Sequence, residues 1–360
     1  MSNKKPNYVK QSQIKKLLVD TNYLVLLGER ASGKSYASKN LILSECIKNN
    51  KEFIYLRRYD LDTKDSLCVN YFGDCPVEQL TNGEYTCIDV WRKGIYLSTT
   101  DENGKVIHGK KVGYCHALSA SEHYKSLAFP DVQYILFEEL ISQDGRYLMA
   151  GNSEPAKLQQ YVSTIFRHRL DGKVILIGNT ISRICPYYRE WNLKIREMKL
   201  GEITTYTYHN DNGEDTKIKV FITDSLNYNT GMFFGLSAKN ITKGAYEVSE
   251  QPHLPKSKLK YKDIYTLVVE YNEFRFLCSL LQDKENGSLL WFIEPKTTEI
   301  KPGTRVISNQ FYDNPLATST FRRPLTDVEA RIFNLFAMGK VCYADNLTGT
   351  EFNNIIEYVR

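Results

Sequence analysis

One eight-residue stretch constrains this chain more than any other. GERASGKS at 28–35 fits the phosphate-loop pattern G-x-x-x-x-G-K-[ST] without a mismatch. Gly28 and Gly33 let the backbone curl so that the N–H groups between them, on Glu29, Arg30, Ala31 and Ser32, face inward to phosphate oxygens. Lys34 is expected to reach the β- and γ-phosphates and the Ser35 hydroxyl to ligate magnesium. The helix opening through Ser35 and Tyr36 adds its positive end. The context fits: an apolar run, Tyr23–Leu27, precedes the loop, and 35–48, free of proline and glycine, follows it. The pattern therefore predicts a strand, a loop and a helix that bind a nucleotide, with ATP and Mg2+ as the ligands.

Three more short apolar runs, at 53–56, 132–137 and 174–177, alternate with helix-like segments. That alternation predicts an α/β fold with a parallel sheet whose strand ends carry the chemistry. A helix is expected at 12–20, another at 119–128 with Ser119 as its cap, and a third at 153–166 opening at Ser153. Residues 66–117, with NG at 82–83 and ENG at 102–104, read as hairpins inserted into, or lying beside, the sheet. After residue 190 the texture changes. A hairpin over 203–223 turns on DNGED, a polar Gly- and Pro-bearing stretch runs over 224–262, strands follow at 264–281 and 288–294, and helices at 325–338 and 350–359. The expected organisation is a nucleotide domain at 1–190, a hairpin and linker region at 191–262, and a small α+β domain at 263–360.

The strand at 132–137 ends in Glu138 and Glu139. Adjacent acids at a strand end suit a solvated turn, but below a phosphate loop they read as the second half of a hydrolytic site. Glu138 would hold the metal and Glu139 would polarise the attacking water. Aspartate is usual at the first position, and Glu138, one methylene longer, is expected to serve magnesium through a water. Arg30 is either a solvated loop residue or a contact to the γ-phosphate or catalytic acid. Asn179, after a strand-ending glycine, is a turn residue or a γ-phosphate sensor. Arg167 and Arg169, in FRHRL at a helix end, suit the helix dipole; the sharper reading makes one an arginine finger. Arg57 and Arg58 read as strand-end surface charges or phosphate contacts.

These stretches in their order (GERASGKSY, FIYLRRY, SASEHYKSLAFP, YILFEEL, TIFRHRL, VILIGNT) resemble the DNA-packaging ATPases of small protein-primed tailed phages, relatives of the large terminase subunits. The resemblance covers about residues 20–190. It implies an ASCE-type P-loop NTPase domain and an ATPase that translocates double-stranded DNA into a procapsid. It further implies a homo-oligomeric ring, a portal partner and a procapsid-bound RNA, with the chain in the host cytoplasm and transiently at the portal vertex. By position, Lys34 and Ser35 bind phosphate and metal, Glu138 is the metal-associated acid and Glu139 the catalytic glutamate. Lys125 and Arg167 would act on a neighbour's nucleotide, and Asn179 would couple hydrolysis to movement. The C-terminal domain would be ribonuclease H-like without its catalytic acids. Glu270, Glu294 and Asp313 are the nearest candidates, and no cleavage is expected. The rival readings are a terminase-like nuclease and a nucleotide-dependent small-molecule kinase.

Composition adds little but agrees. Of 360 residues, 42% are hydrophobic and 25% charged, and the net charge of +5 is compatible with a nucleic-acid partner. Lys256, Lys258, Lys260 and Lys262 alternate, so an extended chain would line them along one side against a phosphate backbone; a solvated linker would need no ligand. No run is long and apolar enough for a membrane span, and the basic start has no apolar stretch behind it, so neither a membrane partner nor a signal peptide is expected. Eight scattered cysteines without a C-x-x-C pair are expected to be reduced thiols.

Overall fold

The computed structural model describes residues 8–142, 146–148, 154–179, 185–210, 213–224, 252, 260–272, 274–309, 314–321, 334–335 and 338–359. The chain is α/β with two mixed sheets, and it divides into two compact units. Among the described residues, the first runs to 224 and the second begins at 252.

In the first unit, helix α1 (Gln11–Leu18) leads into β1 (Tyr23–Gly28), and α2 (Lys34–Asn49) returns to β2 (Glu52–Arg57). Then come α3 (Asp65–Phe72), α4 (Val77–Leu80), β3 (Cys87–Trp91), β4 (Gly94–Thr100) and β5 (Val106–Ala117). A 3-10 segment, Leu118–Tyr124, precedes β6 (Val132–Phe137); α5 (Glu154–Phe166), β7 (Lys173–Asn179), α6 (Pro186–Glu190), β8 (Ile203–His209) and β9 (Asp215–Ile222) complete the unit. The nine strands lie in the order β3-β4-β5-β2-β6-β7-β1-β9-β8. The six from β5 to β9 pair in parallel; the β3–β4 ribbon and β8 add antiparallel edges.

The four apolar runs become β1, β2, β6 and β7, adjacent at the centre, because a parallel strand covered on both faces must be apolar throughout. Leu24, Leu26, Phe53, Tyr55, Leu136 and Ile175 turn to the face covered by α1, α2 and α3. The alternate residues face the other side, where Phe137 meets Tyr187 of α6.

Several expectations need correction. Residues 65–72 and 77–80 are helical, not hairpins: Cys68 and Phe72, one turn apart, bury the same face of α3 in the core. The strands that follow take the first of the two expected placements, inserted into the main sheet with β5 paired to β2. Residues 118–124 form a 3-10 segment that begins after Ala117, with no side-chain cap from Ser119. The 203–223 hairpin forms as expected, and it extends the main sheet: β9 lies parallel to β1, with Leu27 opposite Ile222. The opening at Ser153 lies outside the described residues, as does most of the helix expected at 325–338.

The second unit is a five-stranded sheet, β13-β10-β11-β12-β14, built from β10 (Tyr261–Tyr271), β11 (Phe274–Asp283), β12 (Leu289–Pro295), β13 (Arg305–Ser308) and β14 (Val341–Tyr343). The single strand region expected at 264–281 is two strands turning at Asn272, whose φ is 52°. Helix α7 (Asn346–Val359) places Phe352 and Ile355 on the sheet, Phe352 against Phe276 at 5.4 Å between rings. All eight cysteines are free thiols, and no helix among the described residues is long and apolar enough to cross a membrane.

Candidate functional site

The loop between β1 and α2 is set by two glycines. An added Cβ on Gly28 would lie 1.9 Å from the Thr223 side-chain oxygen, so only glycine lets β9 end this close to β1. Gly33 caps α2 in the left-handed region at φ 83°, the turn that delivers the helix N-terminus to the loop. Glu29 and Ser32 are buried, Arg30, Ala31 and Tyr36 are exposed, and Ser35 is half-buried.

Lys34 is buried, and its ammonium donates to the carbonyl oxygens of Gly28 at 3.1 Å and Glu29 at 2.6 Å and to Ser32 Oγ at 3.0 Å. Asn179 Oδ1 stands 3.4 Å away, because β1 and β7 are adjacent with Gly28 opposite Asn179. Burial lowers the Lys34 amine to about 8, against the opposing charges of Glu138 and Glu29.

β6 lies on the far side of β7 from β1, so its end reaches the same edge. Glu138 is buried, and its carboxylate accepts from the Tyr71 hydroxyl at 2.5 Å and from Ser35. Burial pushes Glu138 above the ordinary carboxylate value, while Tyr71, Ser35, Arg57 and Lys34 pull it down. Glu139 points the other way. Its φ of 66° is left-handed, and its more exposed carboxylate pairs with Arg57 Nη2 at 2.5 Å. A non-glycine residue held in that region at a site edge is a common mark of function.

Arg57 ends β2 and Arg58 follows it, and both are held by carboxylates of their own chain rather than standing as plain surface charges. Arg57 serves Glu139. Arg58 is buried, holding Glu154 through Nε at 2.9 and 3.0 Å and the Leu140 carbonyl through Nη2 at 3.0 Å. Glu154 in turn accepts from Leu148 N–H at 2.7 Å and the Tyr187 hydroxyl at 2.9 Å. The sequence reading missed Tyr71 altogether. Its signal was only a tyrosine six residues past an acidic helix start, in a segment read as a hairpin.

Arg167 and Lys125 come together, but away from the loop. Arg167 donates through Nη2 to the Leu127 carbonyl at 3.1 Å, two residues past Lys125, which pairs with Glu122 at 2.6 Å. α5 starts beside the acids and descends 13 residues to Arg167, about 20 Å down the sheet. A cavity of about 660 Å³ lies at that end, with Phe166, Arg167, Arg169, Trp191, Tyr208 and Asn210 on its wall. Arg169 itself is structural, donating to the carbonyls of Phe129, Pro130, Val132 and Ile165.

In the second unit Glu270 is buried and ion-paired with Arg275 at 2.5 Å, with Asn314 on its other oxygen. Glu294 stands on β12, two strands away, and Asp313 lies outside the described residues. Lys256 and Lys258 also lie outside them. Lys262 is the second residue of β10 rather than part of a linker, and Lys260 pairs with Glu285 at 3.2 Å.

Ser35 and Glu138 offer hard oxygen donors, which suit a magnesium ion held mainly by water and phosphate. No cluster of three or more His, Cys, Asp or Glu able to hold a metal alone occurs among the described residues, so phosphate oxygens would have to complete such a site.

Fold and site together define an α/β protein with a phosphate-loop signature seated between a central parallel strand and its helix. More narrowly, the chain belongs to the podovirus DNA encapsidation protein (Gp16) family, whose sequence model matches residues 9–201. It is 34% identical over 163 residues to a DNA packaging protein of Bacillus phage B103, covering 45% of this chain and 46% of that one. With a DNA packaging protein of Bacillus phage phi29 it shares 32% identity over 168 residues, 47% of this chain and 46% of the relative. The chain spans about half the length of these relatives in the match. Among solved structures, a chain of the bacteriophage Phi-29 viral genome packaging motor assembly superposes with a TM-score of 0.57. That match is 21% identical and covers 98% of this chain and 100% of that one, a likeness of fold.

Proposed function

We infer that this chain is the ATPase of a phage DNA-packaging motor, an ASCE-type P-loop NTPase that moves double-stranded DNA into a procapsid. The observation that carries the reading is the convergence of Lys34, Ser35, Glu138 and Asn179 at the ends of three adjacent strands, with Glu139 held beside them by Arg57. ATP supplies the transferable phosphoryl group and Mg2+ the charge that balances it. Loop N–H groups from Gly28 to Gly33 would cradle phosphates, and Lys34 would neutralise the β- and γ-oxygens. Glu138 and Ser35 would hold the metal, and Glu139 would take the proton of the attacking water. Arg30 is exposed at the loop, where it can reach the γ-phosphate. Asn179, beside Lys34, can report whether that phosphate is present.

Lys125 and Arg167 stand well below their own loop, a placement that suits action on a neighbour's nucleotide in a homo-oligomeric ring. The family and the names of the relatives favour DNA as the cargo. By the sequence resemblance alone, the dock would be a portal with a procapsid-bound RNA, and the chain would work in the host cytoplasm and transiently at the portal vertex. We assign the nucleotide domain to the first unit and a ribonuclease H-like, non-cleaving domain to the second, where Arg275 and Asn314 occupy Glu270. Lys260 and Lys262 remain candidates for backbone contacts.

The test is ATP turnover with and without duplex DNA over a range of salt. DNA of any sequence should stimulate turnover, and the stimulation should fall steeply with salt. Turnover that ignores DNA, or strong base preference with a flat salt response, would remove the motor reading.

A further inference from the structure

Glu138 is one methylene longer than the acid usual at its position, and the fold uses the extra length. Ser35 approaches the carboxylate from the first turn of α2, and Tyr71, near the end of α3, donates to Oε1 at 2.5 Å. Tyr71 is fixed on both sides. Its ring stacks on Tyr55 of β2, 4.3 Å between centroids and 21° apart. Lys39 Nζ lies 4.6 Å over the same ring and donates to the Tyr71 carbonyl at 2.5 Å. Lys39 follows Ser35 by four residues, so both project from one face of α2. Ser35, Glu138, Tyr71 and Lys39 thus close a ring of contacts running from α2 to the end of β6, across to α3 and back to α2.

We propose that Tyr71, clamped by Tyr55 and Lys39, is a positioning residue for the metal-associated acid: its hydroxyl holds Glu138 Oε1 so that the carboxylate presents one fixed orientation to Ser35 and magnesium. This rests on the nucleotide-and-magnesium reading above. The backbone at 138 cannot shift to compensate a shorter side chain, since Glu138 N–H donates to Leu56 O at 3.3 Å and Leu140 N–H to Ile177 O at 2.8 Å. An aspartate there would stop about one C–C bond, ~1.5 Å, short of the Tyr71 hydroxyl. Partners that orient a metal's ligands change metal affinity by about 10–100-fold when removed, which is the effect expected here.

The experiment titrates Mg2+ into the full chain with a non-hydrolysable ATP analogue, adenylyl imidodiphosphate, and reads analogue binding by calorimetry. Tyr71→Phe keeps the ring and its stack on Tyr55. It should raise the half-saturating Mg2+ at least ~10-fold, with analogue affinity in EDTA unchanged. Glu138→Asp should show a shift of similar size, and adding Tyr71→Phe to it should change nothing more. An unchanged Mg2+ dependence in Tyr71→Phe, or losses that simply multiply in the double variant, overturns the proposal. Should Tyr71→Phe fail to fold, Glu138→Asp decides alone: Mg2+ affinity equal to wild type overturns it. Failure of the underlying reading is distinct, because wild-type binding of the analogue would then itself ignore Mg2+.

Discussion

Arg57 and Glu139 meet at 2.5 Å across two neighbouring strand ends, while Glu138, one residue earlier, turns away from this pair to Tyr71 and Ser35. Two adjacent acids thus occupy two different environments, one on the loop side and buried, the other exposed enough to meet water.

The acids should therefore separate in kinetics. Glu139→Gln is expected to retain nucleotide affinity and lose turnover by about 10²–10⁴-fold, because an amide cannot accept the proton of the attacking water. Glu138→Gln should instead weaken Mg2+-dependent binding. Steady-state turnover beside equilibrium binding of an ATP analogue checks both, and the reverse pattern would exchange the two roles.

Lys34→Ala should nearly abolish turnover in a folded chain, and the pH dependence of binding should show why. Burial lowers the Lys34 amine to about 8, so above that pH the free site carries a neutral amine. Phosphate favours the charged form, so binding above pH 8 must take up a proton, and affinity should fall up to about tenfold per pH unit. Calorimetry in two buffers of different ionisation enthalpy measures the uptake, and Lys34→Ala should remove it. For stability the sign is opposite to an ordinary ion pair: the unfolded lysine, near 10.4, holds more protons than the folded one, so stability gains from Lys34 as pH rises from 8 to 10.

Arg58→Met or Glu154→Gln should each destabilise the chain by about 3–5 kcal/mol, since either leaves a buried partner without its counter-charge or its full set of bonds. Denaturant unfolding reads the change. Replacing both with apolar residues of similar volume should cost less than either single change. A loss below ~1 kcal/mol from the single changes would mean water reaches the pair.

His116 gives an acid sensitivity. Its ring is buried, stacked on Tyr124 at 3.9 Å, with Nδ1 2.7 Å from the Tyr161 hydroxyl oxygen, and burial, then Lys93, lowers it to about 3. Its folded value lies below its unfolded value near 6.5, so its contribution is complete above 6.5 and lost as pH falls toward 3, at up to about 1.4 kcal/mol per pH unit. Unfolding of His116→Gln should show a flatter acid limb than wild type. Identical limbs would place the acid sensitivity elsewhere.

Arg167 should act across a subunit boundary. Arg167→Ala subunits keep their own Glu139, and Glu139→Gln subunits keep their arginine; each alone should be inactive. Mixed rings should recover part of the DNA-stimulated turnover, since some interfaces then pair an intact glutamate with an intact arginine, and such a finger is worth about 10³–10⁵-fold. No recovery in rings shown to contain both proteins would assign Arg167 to its own site or to none.

The local chemistry of this protein was legible in the sequence because it is written in short runs. Four apolar strands, a glycine-bounded loop and a helix without breakers are each fixed by neighbours in the chain, so β1, β2, β6, β7 and α2 stand where the pattern puts them. Their order in the sheet was not legible. That order sets Gly28 opposite Asn179 and brings Glu138 to Ser35, and it depends on which apolar faces pair across the fold. The segment at 65–80 was misread because its tyrosine, valine and phenylalanine favour a strand locally, whereas burial of Cys68 and Phe72 on one face selects a helix. Only tertiary structure could separate Arg57 from Arg58, identical neighbours on a strand end. Successive side chains on a strand point to opposite faces, so one arginine meets Glu139 and the other is buried on Glu154.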